Sequence, residues 1–239
     1  MEITLEEAAF GTENEINVRK RNQCETCDGT GGETKTCSSC DGRGFETTRK
    51  RTPLGTVQTR TECNVCQGTG KQVTDECETC GGKGYKNENT SIQVEVPEGV
   101  QDGTRLRLRG KGDAGKRGQQ PGDLYIFVSV KEHDVFKRDG DDIKLDVPIG
   151  FTQAVFGAEI EVPTLEGKSK LTIPEGTQSG TTFKMKNKGI KNVRGYGKGN
   201  QYVTAKVKTP ENLSEKEEEL LKEYADERGE EVKPQKSLK

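Results

Sequence analysis

The pattern C-x-x-C-x-G-x-G occurs four times between Cys24 and Gly84, as CETCDGTG, CSSCDGRG, CNVCQGTG and CETCGGKG. It takes in all eight cysteines of the chain: Cys24, Cys27, Cys37, Cys40, Cys63, Cys66, Cys77 and Cys80. Two cysteines separated by two residues bend the backbone into a knuckle that turns both sulfurs toward one ion. Two knuckles close a tetrahedral four-cysteine site, and four close two such sites. The glycines serve the same geometry, because the backbone must approach the sulfurs with φ values that side chains disfavour. The N–H groups left exposed can then hydrogen-bond the thiolates. Zinc suits four thiolates best, with iron the other ion they accept. The expectation is two Zn2+ per chain in closed, structural sites, with no open position for zinc-centred catalysis and hence no enzyme.

Four knuckles can pair in three ways. Residues 44–63 read GFETTRKRTPLGTVQTRTEC, with β-favouring residues on both sides of Thr52-Pro53-Leu54-Gly55. That is a turn signal between two extended arms. A hairpin there brings Cys37 and Cys40 against Cys63 and Cys66, and leaves Cys24 and Cys27 to Cys77 and Cys80. This nested arrangement is the favoured one of the three. A disulfide scaffold would need an oxidising compartment, and nothing in the chain reads as a secretory signal. A redox C-x-x-C usually occurs once, beside a βαβ pattern. Reduced cysteines without a signal point to a cytoplasmic location.

Outside the cysteines, the segments SIQVEV, TRLRLR, DLYIFVSV, DIKLDVPI, AEIEVP, SKLTIP, TFKMK and QYVTAKV all alternate apolar and polar residues, as do Ile16 and Val18. Period two marks half-buried strands. A chain of 239 residues that is 28% hydrophobic and 33% charged, with 30 Gly and no Trp, fits several small modules better than one large core. Its net charge of −2 gives no general attraction to nucleic acid or to an anionic membrane. No apolar run approaches the ~18 residues needed to span a bilayer.

The strands repeat. VPEGVQDGTRLRLRGKG from Val96 matches IPEGTQSGTTFKMKNKG from Ile173, an offset of 77, and AAFGTENEINV around Phe10 matches AVFGAEIEV around Phe156, an offset of 146. The difference, 69 residues, measures an insertion in the first copy between Val18 and Ile92, which is the cysteine region. Self-comparison therefore reads the chain as two copies of one β module, the first interrupted by a metal-binding subdomain. After Pro210 the pattern changes. Ser214 with Glu217 three residues on reads as a capping box, and Leu220, Leu221 and Tyr224 form a narrow apolar stripe. A short acidic helix of this kind is marginal alone and must dock on its own domain, pair with a second chain or fray.

The four cysteine motifs, followed by VPEGVQDGTRLRLRGKG, PGDLYIFVSV and FKRDGDDI, resemble the DnaJ co-chaperones of the class that carries a zinc region. The segments VPIGFTQAVFGAEIEVPTLEG and IPEGTQSGTTFKMKNKG look bacterial. The resemblance implies an all-β fold: two tandem β-sandwich-like domains, an inserted β-hairpin zinc subdomain with two four-cysteine sites, and a short C-terminal helix. The implied division is 1–19 with 89–131 as the first, client-binding β domain, 20–88 as the zinc subdomain, 132–209 as the second β domain and 210–239 as a helical tail. It also implies zinc sites at Cys24, Cys27, Cys77 and Cys80 and at Cys37, Cys40, Cys63 and Cys66, a homodimer joined through the tail, and unfolded client polypeptides as ligands. Clients would pass to a DnaK-type 70-kDa chaperone, and the second zinc site is implicated in that hand-over. The His-Pro-Asp motif of the family's J domain is not found, and the sole histidine, His133, precedes Asp134-Val135 as a surface residue of an inter-domain turn. The chain is thus expected to be the client-binding part of such a protein, cut after its linker, with Met1 a boundary of that cut.

A sheet edge beside a shallow apolar groove would hold an unfolded chain by strand addition. The family's groove maps to Ile16 and Val18, with Phe136 nearby and Leu106 and Leu108 as further candidates. Arg43, Arg49, Lys50, Arg51 and Arg60 cluster at the cysteine hairpin, either as a solvated surface or as a patch for acidic partners or nucleic acid. Phe45 is the only aromatic close by, which counts against single-strand binding. A zinc-dependent thiol–disulfide oxidoreductase and a nucleic-acid-binding zinc protein are the alternatives, and the duplicated β module has no role in either.

Overall fold

The computed structural model describes residues 1–52, 55–115, 118–193 and 195–231. The chain divides into two units, Met1–Lys131 and Glu132–Lys239, built mostly of strands with three short helices.

In the first unit, β1 (Glu2–Ile3) runs parallel to β10 (Ser129–Val130), and α1 (Leu5–Phe10) follows directly. Thr4 starts α1 as a capping box: its hydroxyl accepts from the Glu7 N–H, and the Glu7 carboxylate accepts from the Thr4 N–H. The Thr4–Glu7 spacing was the sequence sign of this helix, which alternation alone does not reveal. Next, β2 (Thr12–Gln23) pairs antiparallel with β7 (Tyr85–Val96) along their whole length, and β8 (Arg105–Leu108) pairs with β9 (Leu124–Phe127). The core gathers Ile3, Ala8, Ile92, Val94, Val96, Val100, Ile126 and Val128. Alternate residues of β7 supply three of these, as its period requires.

Only the Thr12–Val18 half of the β2 ladder rests near this core. The other half is polar and is braced from the side. The Arg21 N–H donates to Asp113 Oδ1 at 2.9 Å, its guanidinium bonds Asp113 Oδ2, and the Arg21 carbonyl accepts from the Ala114 N–H at 2.7 Å. These donors hold the Asp113 carboxyl below its ordinary range, the backbone N–H first and the guanidinium next.

Between β2 and β7 the chain folds as one nested hairpin. β3 (Gly32–Thr36) pairs with β6 (Lys71–Glu76), and β4 (Phe45–Thr52) with β5 (Gly55–Glu62), all antiparallel. Thr52 and Gly55 are the last pair of the inner ladder. Of the turn expected at Thr52-Pro53-Leu54-Gly55, Pro53 and Leu54 lie outside the described residues.

The second unit repeats the first. Its four-stranded sheet has the order β11 (Lys137–Asp139), β12 (Asp142–Gly150), β16 (Gln201–Lys208), β15 (Thr182–Met185), with β12 and β16 parallel. α2 (Phe151–Phe156) leads into the hairpin of β13 (Ala158–Thr164) and β14 (Gly167–Ile173). The two sequence offsets hold residue by residue. Thr12 pairs with Val96 as Ala158 pairs with Ile173; Arg105 with Phe127 as Thr182 with Thr204; Glu2 with Ser129 as Pro148 with Lys206. A one-residue slip would turn every core side chain outward, so shared register means shared packing. α3 (Glu215–Glu227) follows, capped by Ser214 and Glu217. It docks on its own unit, with Ala225 buried and Tyr224 edge-on to Phe151 at 6.4 Å between centroids.

Gly11 and Gly157 occupy equivalent corners with φ 78° and ψ 161°, a region open to almost no other residue. A Cβ on Gly11 would stand 2.9 Å from the Val96 carbonyl oxygen, and one on Gly157 2.9 Å from that of Ile173. Gly11→Ala is therefore expected to destabilise the first unit by about 1–3 kcal/mol, and Gly157→Ala the second by a similar amount. Urea unfolding followed by hydrogen exchange checks this, since each change should speed exchange in its own unit.

Candidate metal centres

Only cysteines and glycines are buried between residues 24 and 84, among the described residues. The cysteines form two groups, Cys24, Cys27, Cys77 and Cys80, and Cys37, Cys40, Cys63 and Cys66, with the sulfurs of each group within 4.8 Å of one another. Both groups are the nested pairs expected from the hairpin.

The spacing fits one ion per group. Four sulfurs at ~2.3 Å from a tetrahedral zinc stand ~3.8 Å apart. Cys24–Cys77 and Cys27–Cys80 are 3.9 and 3.8 Å apart, and Cys37–Cys63 and Cys40–Cys66 are 4.0 and 3.6 Å. The backbone is arranged to serve thiolates. The last glycine of each motif donates its N–H to the second cysteine: Gly31 to Cys27, Gly44 to Cys40 and Gly70 to Cys66 at 3.3 Å, and Gly84 to Cys80 at 3.2 Å. Paired knuckles also exchange backbone bonds. Cys24 N–H donates to the Gly84 carbonyl and Cys77 N–H to that of Gly31, while Cys37 and Cys63 do the same with Gly70 and Gly44, at 2.9–3.0 Å. A Cβ on any of these four glycines would collide with a carbonyl of the facing knuckle, which is why the motif needs glycine there. Burial pushes the Cys27 thiol up to about 11, and the hydrogen bonds it shares with Cys24, Cys80 and Cys77 push the same way. An ion bound there would release the remaining thiol protons.

The groups differ in setting. All four cysteines of the second are at most 1% exposed, whereas Cys27 and Cys77 of the first are half-buried. Glu33, Asp75, Glu76 and Glu78 border a groove that opens on Cys27 and Cys77. An ion held by four thiolates leaves a net double negative charge, which neighbouring carboxylates disfavour and arginines favour.

The structure places the remaining candidate residues as follows. Ile16, Leu106 and Leu108 are half-buried against the same core of the first unit, and half-buried Val18 follows Ile16 on the same face of β2. Phe136 belongs to the second unit, is 6% exposed and packs at 5.0 Å against His133, whose Nδ1 accepts from the Phe136 and Val135 N–H groups. His133 is accordingly half-buried rather than a plain surface residue. Arg43 bonds the Cys40 carbonyl and pairs with Asp41, and Arg60 stacks over Phe45 at 4.9 Å. Arg49 and Arg51 are exposed, and the Lys50 side chain lies outside the described ones.

The family of the DnaJ C terminal domain matches residues 1–210. Relatives named "Chaperone protein DnaJ" include those of Acetivibrio thermocellus, 47% identical over 99% of this chain and 62% of the relative, and Geobacillus thermodenitrificans, 50% identical over 94% of this chain and 60% of the relative. That of Staphylococcus carnosus is 47% identical over 98% of this chain and 63% of its own length. The chain thus spans about three fifths of the length of these relatives.

Two outcomes are expected on metal removal. With a chelator in excess, release should be biphasic, the faster phase from the first group. Cys24→Ser should abolish that phase and Cys37→Ser the slower one, read by a metallochromic dye. Stripping both ions should open the backbone of residues 24–84 to hydrogen exchange while the β13–β14 and β12–β16 ladders stay protected.

Proposed function

The chain belongs to the DnaJ C-terminal domain family, and on that premise we propose that it is the client-binding part of a DnaJ-type co-chaperone. It binds non-native polypeptides, suppresses their aggregation and delivers them to a DnaK-type 70-kDa chaperone in the cytosol. It works by binding rather than by catalysis.

The observation that carries this reading is the outer edge of β2. Among the described residues that strand pairs with β7 alone. Arg21 turns its N–H and C=O away from β7, toward Asp113 and Ala114. Period two puts the same groups of Glu13, Glu15, Asn17 and Arg19 on that side, where no strand meets them among the described residues. Half-buried Ile16 and Val18 lie between them. An extended chain added there gains a sequence-tolerant ladder and an apolar surface for its alternate side chains. Proteins ordinarily guard such edges, so an open one beside apolar side chains suits a binder of unfolded chains. Leu106, Leu108 and Phe136 are read as further client-binding residues.

The two cysteine groups hold Zn2+, Cys24, Cys27, Cys77 and Cys80 as one site and Cys37, Cys40, Cys63 and Cys66 as the other. Zinc supplies a closed, redox-inert cross-link. The polar half of the β2–β7 ladder carries this region away from the core, and the second site takes part in hand-over. We read 1–19 with 89–131, 20–88, 132–209 and 210–239 as the functional divisions. α3 leaves Leu220 at 55% and Tyr224 at 44% exposed, which supports a homodimer formed through the tail.

Aggregation of a chemically denatured model protein, diluted with and without the metal-loaded chain, tests the reading. Suppression is expected at near-stoichiometric amounts. Asn17→Pro removes an outward N–H and leaves the β7 ladder intact, and Val18→Asp charges the groove. Each should weaken suppression about fivefold or more, the scale of 1 kcal/mol, with both ions retained. Full suppression by both variants would overturn the placement at β2, and none by the parent chain would overturn the holding role.

A further inference from the structure

The nested hairpin is electrically polarised along its length. Residues 35–71 carry seven basic against three acidic side chains, whereas 24–34 with 72–84 carry six acidic against one basic. The excess of positive charge is concentrated further by strand alternation. Register in the β4–β5 hairpin pairs Thr47 with Arg60, Arg49 with Gln58 and Arg51 with Thr56. Side chains of one face recur every second residue and directly across the ladder. Arg49, Arg51 and Arg60 therefore share one face with Phe45. The one acid of that face, Glu62, sits at its base opposite Phe45.

A solvated hairpin normally neutralises its charges across the strands, and this chain contains one that does. In β13–β14, Lys168 pairs with Glu161 and Lys170 with Glu159. In β4–β5 no acid stands opposite an arginine, and the Arg49 and Arg51 guanidinium groups have no partner among the described residues. Arg60 is held over the Phe45 ring, which fixes its plane at little cost in side-chain freedom. Among the described residues β4 and β5 pair only with each other, and no strand meets their outer edges.

We propose that the Arg49, Arg51 and Arg60 face of this hairpin is a docking surface for an extended acidic polypeptide segment. Alternate carboxylates of an extended chain recur at ~6.8 Å, the same interval as Arg49 and Arg51 on their strand. Each guanidinium presents a fork that takes a carboxylate through two N–H bonds. The open strand edges add backbone bonds in the same direction. A single-stranded nucleic acid fits less well, because the only ring on the face is already covered by Arg60 and no second stacking platform exists there among the described residues.

The test is fluorescence anisotropy of a labelled octapeptide of alternating Glu and Thr, titrated with the metal-loaded full chain. Saturable binding is expected at about 50 mM salt, weakening several-fold at about 300 mM as the Debye length shortens. Arg49→Glu with Arg51→Glu should weaken it about tenfold or more, the effect of placing like charges against each carboxylate. Arg60→Gln, a milder change, should weaken it about threefold. Thr48→Glu with Thr59→Glu, on the opposite face, should leave affinity within about twofold. Two ions per chain in every variant shows that the hairpin is folded. Client aggregation measured on the same variants should match the parent chain, which separates this surface from the β2 edge. Unchanged peptide affinity in Arg49→Glu with Arg51→Glu would overturn the proposal. So would an oligothymidine of equal charge displacing the peptide at equal or lower concentration, which would make the surface a reader of polyanions.

Discussion

Two groups of four cysteines are the core of a segment that buries little else among the described residues. Between residues 24 and 84, nothing but cysteine and glycine is buried among the described residues. The ordering entropy of some sixty residues cannot be offset by apolar burial there. An ion bound by each group would close loops 24–80 and 37–66. The glycines bring backbone N–H groups onto the sulfurs and let the facing knuckles exchange carbonyl bonds. The ladders β3–β6 and β4–β5 then hang from these clusters as spacers and tip, rather than from a hydrophobic interior.

The rest of the chain solves the opposite problem with ordinary means. Each unit buries one face of short strands under a six-residue helix, and the two units share register at every equivalent ladder. The first unit differs by carrying the nested hairpin where β13–β14 has a tight turn at Thr164–Gly167. The polar half of β2–β7 is the price of that insertion: it lacks core contacts and is braced instead by Arg21, Asp113 and Ala114. This brace occupies the far end of the β2 edge and leaves the stretch beside Ile16 and Val18 open.

Charge follows the same axis. Carboxylates border the more exposed cysteine group, whereas Arg43 bonds a carbonyl of the fully buried one and the other arginines lie along the hairpin beyond it. The balance of −2 over the whole chain conceals this separation. An ion held by four thiolates would carry net negative charge, so the two settings would favour it unequally.

Much of this was legible in the residues. The spacing of the cysteines determined that there are two closed four-sulfur groups, because a knuckle is a local structure. Period two determined the strands, and the offsets of 146 and 77 determined that one module occurs twice, interrupted once. Tertiary structure decided what depends on contacts distant in sequence. It selected the nested pairing among three, through ladders that bring Cys24 against Cys77 and Cys37 against Cys63. It buried Phe136 against His133 in the second unit, a contact that the sequence pattern does not show. It folded Leu5–Phe10 and Phe151–Phe156 into single turns too short for a 3.6-residue period to show. It also set three arginines on one face and gave the outer edge of β2 no strand partner among the described residues, because a strand's partners are chosen by the whole sheet and not by the strand.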